Sequence, residues 1–136
     1  MITEDYVSFE TAKLLKEKGF DEPCYAYWHE DENRLIISQS MHAIQNITNP
    51  CFFGPATPTL QMAMKWLREV HNLHIITLPY APMDRHPYHP GEADVVYIAQ
   101  LFRGIIPIDE IGRSVIKLTH EQACEAGIKY CLENLI

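Results

Sequence analysis

Apolar residues recur at helical spacing in three stretches of the chain. Over 9–18, Phe9, Ala12 and Leu15 share one side, with Ser8 placed to cap the first turn. Gly19 ends this helix in the left-handed conformation, and Phe20 folds back on Leu15. Leu60, Ala63, Met64, Leu67 and Val70 repeat likewise, flanked by Trp66, with Gln61, Lys65, Arg68 and Glu69 opposite. Thr57 is read as the cap of this helix and Pro58 as its first residue, where a missing N–H removes no bond. Asn72 is its stop. In the third stretch Cys124, Ile128, Cys131, Leu132 and Leu135 line one face. They follow Thr119-His120-Glu121-Gln122, a capping box, with Leu118 positioned to staple onto Ala123. Gly127 lies within that stripe at about 1 kcal/mol against alanine, which predicts that a strand passes close to the helix there.

Four runs read as strands. Cys24–Trp28 is aromatic-rich and Arg34–Ser38 is rich in β-branched residues; His29–Asn33 between them makes a hairpin loop of about five residues. Ile75–Leu78, closed by Pro79, and Asp94–Arg103 form an antiparallel pair. The span 79–93 between them holds Pro79, Pro82, Pro87, Pro90 and Gly91 and reads as a long excursion. Residues 39–56 read as mostly loop, and 115–118 as a short additional strand. Paired strands between helices predict an α+β fold over a single domain, 1–136. A small antiparallel sheet of about four strands packs with three helices, in the order α-β-β-α-β-β-α.

Composition narrows the function classes. Apolar residues make up 47%, enough for a core and too many for a disordered chain. Eleven basic against eighteen acidic residues give a net charge of -7, which disfavours nucleic acid as a partner. The weaker case for it rests on Lys13, Lys16, Lys18, Lys65 and Arg68. No apolar run approaches the roughly 20 residues of a membrane span, and the acidic start has no signal-peptide core. A cytoplasmic protein with reduced thiols is expected, and no membrane partner. Cys24, Cys51, Cys124 and Cys131 lack C-x-x-C spacing and read as structural.

Candidate chemistry is sparse. Asp84, His86 and His89 offer oxygen and nitrogen ligands within six residues, with His71 and His74 as further nitrogen donors, so zinc is the one cofactor the residue types suit. The alternative, a solvated proline-rich loop, accounts for the same residues with no cofactor. Glu30/Asp31/Glu32 and Asp109/Glu110 are adjacent acids of the kind found in solvated turns. There is no nucleophile elbow, phosphate-binding loop or dinucleotide fingerprint. Tyr25 and Tyr27 alternate with Ala26 and Trp28, so both faces of that strand are aromatic. One face belongs to the core; the other is a candidate interface, for which Tyr25, Tyr27 and Trp28 are the named residues.

Three blocks, Val7–Phe20, Pro58–Glu69 and Glu121–Ile136, together resemble a set of small hypothetical proteins of gut-bacterial phages and prophages. The helix–strand–strand–helix order with Trp66-Leu67 is similar to the phage α-β-α sandwich domain. The Pro/His-rich span 79–93 departs from that set. The resemblance implies phage ancestry and carries no catalytic residue. The reading is therefore a non-catalytic cytoplasmic binding or adaptor protein, engaging a protein partner or a second copy. A metal-binding module or metal-dependent enzyme using the 84–89 loop is the alternative.

Overall fold

The computed structural model describes residues 2–38, 47–80, 96–108, 116–117 and 119–136. In chain order the elements are α1 (Phe9–Glu17), β1 (Ala26–His29), β2 (Arg34–Ile37), α2 (Leu60–His71), β3 (Leu73–Tyr80), β4 (Val96–Arg103), β5 (Ile106–Pro107), β6 (Ile116–Lys117) and α3 (His120–Asn134). The α+β class and the antiparallel pairing of every strand agree with the sequence pattern. The strands divide between two sheets: β1–β2, and a sheet in which β4 pairs with β3 on one edge and with β5 and β6 on the other.

Each helix starts on a hydroxyl. Ser8 Oγ accepts from the Thr11 N–H at 3.2 Å, Thr59 Oγ1 from Met62 at 3.2 Å, and Thr119 Oγ1 from Gln122 at 3.1 Å. The ends of α1 and α2 follow the sequence as well. Gly19 has φ +91; its N–H donates to the Lys16 carbonyl and that of Phe20 to Leu15, the two bonds of a Schellman ending. Asn72 stops α2 in the left-handed region, φ 55. Leu118, the expected staple of α3, and residues 39–46 and 109–115 lie outside the described residues.

The cap of α2 is Thr59, not Thr57, and Pro58 precedes the helix. The cause is tertiary. Residues 53–57 run antiparallel to β1: the Glu30 N–H donates to Phe53, Trp28 to Pro55, and Thr57 to Ala26, all at 2.9–3.1 Å. Pro58 then offers its carbonyl to the Val7 N–H at 3.1 Å, and Leu60 donates back to Asp5. Thr57 is thereby drawn fully inside, its hydroxyl donating to the Pro55 carbonyl. Part of what the sequence reads as loop is thus a third line of backbone beside the β1–β2 hairpin. Two other boundaries move. β3 continues through Pro79 to Tyr80, where proline is tolerated near the end of a strand that pairs on one side only among the described residues. The hairpin loop holds four residues, 30–33, with Asn33 at φ 49.

The core joins all three helices to the larger sheet. α3 lies across β3 and β4, with α1 and α2 against its flanks. At Gly127 α3 lies close against the sheet: a Cβ there would stand 3.1 Å from Ile75 Cγ2 and 3.3 Å from Ala99 Cβ. This is the close approach that the glycine implies. The α2 stripe is rotated from its expected position, with Trp66 buried and Val70 57% exposed. Trp66 fills the space beside Phe20, edge-to-face at 5.4 Å. The Glu125 carboxylate ties α3 to α1, accepting from the Ser8 N–H and the Thr11 hydroxyl, and Lys129 reaches Glu10 at 2.9 Å. Among the described residues no helix is long and apolar enough to cross a membrane.

Candidate binding surface on the hairpin

Strand alternation in β1 sends Tyr27 and His29 to one face of the hairpin and Ala26 and Trp28 to the other. Pairing in register, Tyr27 with Ile36 and Trp28 with Leu35, carries this division across both strands. Trp28 is on the inner side. Its indole N–H donates to the Val7 carbonyl at 3.3 Å, and its ring meets Phe9 edge-on at 6.1 Å. Of the three candidate interface residues, Trp28 therefore helps to hold the hairpin onto the N-terminal segment. Tyr27 stays on the outer face, and Tyr25 is exposed in the bend that precedes β1.

That outer face is more aromatic than the strand alone predicts. The pairing of residues 53–57 with β1 brings Phe53 alongside. Its ring stacks on His29, with centroids 5.0 Å apart, and on Tyr27 at 6.1 Å. Phe52 stands edge-on to Phe53 at 5.1 Å. The result is a row of four rings, Tyr27, His29, Phe53 and Phe52. Phe52 is 94% exposed and Phe53 49%. Two phenylalanine rings left this far in water beside Tyr27 and His29 make an exposed aromatic patch, which is a candidate contact surface. The acidic loop Glu30-Asp31-Glu32 closes one end of the row. Glu32 pairs with Arg34, whose hydrogen bond holds the Glu32 carboxyl below its ordinary value. Phe52 and Phe53 were the residues missed from sequence. The signal was present in Cys51-Phe52-Phe53-Gly54-Pro55, two aromatics beside a Gly-Pro break, within a span read as loop.

The other candidates separate. Asp84, His86 and His89, as well as Asp109 and Glu110, lie outside the described residues. Among the described residues no three His, Cys, Asp or Glu side chains gather as a metal would require. His71 and His74 turn to different partners. The His71 ring packs edge-on against Trp66 at 4.7 Å with a buried Nε2 that has no partner among the described residues, whereas His74 Nε2 lies 3.3 Å from Asn72 Oδ1. Of the cations weighed for nucleic acid, Lys13 sits over the Phe9 ring, Lys18 donates to the Ile136 carbonyl and Lys65 approaches Glu69.

The four cysteines are free thiols. Burial pushes Cys24 and Cys131 up to about 12 and raises Cys124 as well. Cys124 Sγ lies 3.8 Å from a His120 ring nitrogen and 3.2 Å from Thr77 Oγ1, but desolvation keeps it a thiol rather than a nucleophilic thiolate. A thiol reagent at neutral pH is therefore expected to modify Cys51, the half-buried one, well ahead of the other three, as intact-mass labelling would record. The linkage has a sign. A thiol whose pKa is raised on folding contributes stability that is intact below the ordinary value of about 8.5 and fades as pH climbs toward 12. The denaturant midpoint should fall above pH 9, and Cys24→Ala with Cys131→Ala should flatten that fall.

No protein-family model matches the chain, and neither a curated protein nor a solved structure matches it.

Proposed function

We propose that this chain is a non-catalytic binding or adaptor protein that docks a protein partner on the outer face of its hairpin. The observation that carries the reading is the row of Tyr27, His29, Phe53 and the almost fully exposed Phe52. Aromatic side chains supply large contact area at little loss of conformational freedom, and they dominate interface hot spots. The buried thiols fit a protein that does no chemistry with them. The phage or prophage origin implied by the three resembling sequence blocks belongs to the same proposal, as does a cytoplasmic setting.

A photo-crosslinking residue at position 52, in cells that make the protein, should yield one adduct of defined mass with a partner. The same residue at position 69, on α2, should yield none. Phe53→Ser should abolish the adduct while shifting the thermal midpoint by less than about 3 °C, since it removes a half-exposed ring. Equal adducts from positions 52 and 69, or adducts indifferent to Phe53, would remove the outer face as the docking site.

A further inference from the structure

The inner side of the hairpin borders a second feature. A trough of about 950 Å³, open to solvent, runs between the hairpin, the N-terminal segment and α3. Trp28, Leu35 and Ile37 form its apolar wall, and Ile37 is 42% exposed. Such a volume, mainly apolar with a few polar groups at its margin, is in the range of ligand-binding clefts. At one end it meets a smaller recess of about 210 Å³, and Glu4, Asp5 and Glu121 line both. These three carboxylates make no ion pair with a described residue.

The remaining charges are largely committed. Glu125 caps α1 through Ser8 and Thr11, and Lys129 is held by Glu10 and Glu133. Among the described lining residues, Lys117 is the one cation without a described anionic partner. The trough is thus apolar along its length and anionic at one end. A second copy of this chain, with its net charge of -7, is a poor match for that end. The trough's openness suits a chain passing through rather than an enclosed small molecule.

We infer that the trough between the hairpin and α3 binds an extended segment of a partner protein, in which an apolar side chain lies beside an arginine or lysine. The apolar side chain rests against Trp28, Leu35 and Ile37, and the cation reaches Glu4, Asp5 and Glu121.

The test uses a fluorescein-labelled Gly-Leu-Arg-Leu-Arg-Gly peptide and its counterpart with glutamate in place of arginine. The arginine peptide should bind at least tenfold tighter. Glu4→Gln with Asp5→Asn and Glu121→Gln should weaken it at least tenfold. Removing the same charge elsewhere, by Glu17→Gln, Asp21→Asn and Glu22→Gln, should change affinity less than threefold. In the unaltered protein, the arginine peptide should shift the NMR signals of Trp28 and Ile37 and leave those of Phe52 unmoved. Equal weakening by the two triple variants, no preference between peptides, or shifts at Phe52 instead would each overturn the assignment. The Phe52 result would point back to the outer face, so the two surfaces are tested separately.

Discussion

Replacing Gly54 with alanine is expected to unseat residues 53–57 from β1. The added Cβ would fall well inside contact distance of the Trp28 carbonyl oxygen, with the carbonyl carbon only 2.9 Å away. Both are backbone atoms, so no side chain can rotate aside. Relief requires the two lines of backbone to part, which breaks the bonds from Trp28 to Pro55 and from Glu30 to Phe53. Overpacking against a rigid neighbour together with two weakened hydrogen bonds should cost about 3 kcal/mol, or about 10 °C of thermal midpoint for a chain of this length. The same displacement carries Phe53 away from Tyr27 and His29, so the proposed docking on the outer face should be lost while α1 and α3 keep their helicity. Calorimetry and the position-52 crosslink together check it. An unchanged midpoint would mean that residues 53–57 do not lie against β1.

Phe20→Ala should be as damaging by a different route. Phe20 is 1% exposed, closes the ending of α1 onto Leu15, and meets the Trp66 ring edge-on. Its removal leaves a cavity where the end of α1 meets Trp66 of α2. Phenylalanine-to-alanine changes at such sites cost about 4 kcal/mol, a large share of the roughly 5–15 kcal/mol that holds a domain folded. Urea unfolding followed by tryptophan fluorescence should show the midpoint falling with little change in slope. A loss below about 1.5 kcal/mol would contradict the packing of Phe20 on Trp66.

How far the sequence could be read differs from one element to the next. Ser8, Gly19, Asn72 and Thr119 each act within four residues of themselves, and each does in the structure what its local pattern says. Gly127 also announced its role, because a glycine inside an apolar stripe has few reasons other than close packing. The choice between Thr57 and Thr59 was not legible in this way. Both are threonines beside the same proline, and either satisfies the first turn of a helix. The backbone bonds from β1 and from residues 5–7 decide between them.

The aromatic face of the hairpin shows the same division. Alternation in Tyr25-Ala26-Tyr27-Trp28 fixed that two aromatic faces exist. It left open which one is inside, since tyrosine and tryptophan are at home on either. The carbonyl of Val7 and the ring of Phe9, remote in sequence, take Trp28 inward and leave Tyr27 outside. Phe52 and Phe53 join Tyr27 only because the chain returns along β1 after the hairpin.

By itself the sequence determined the three helices, most of their ends, the antiparallel pairs, the α+β class and the burial of Cys124 and Cys131. These follow from periodicity and from hydrogen bonds that close within one turn or one hairpin. The tertiary structure alone decided the division into two sheets, the inward turn of Trp66 and Trp28, the true cap of α2 and the aromatic row at the surface. Each of those depends on which distant backbone supplies a partner for an exposed N–H or carbonyl, and a one-dimensional pattern of apolar and polar residues does not carry that information.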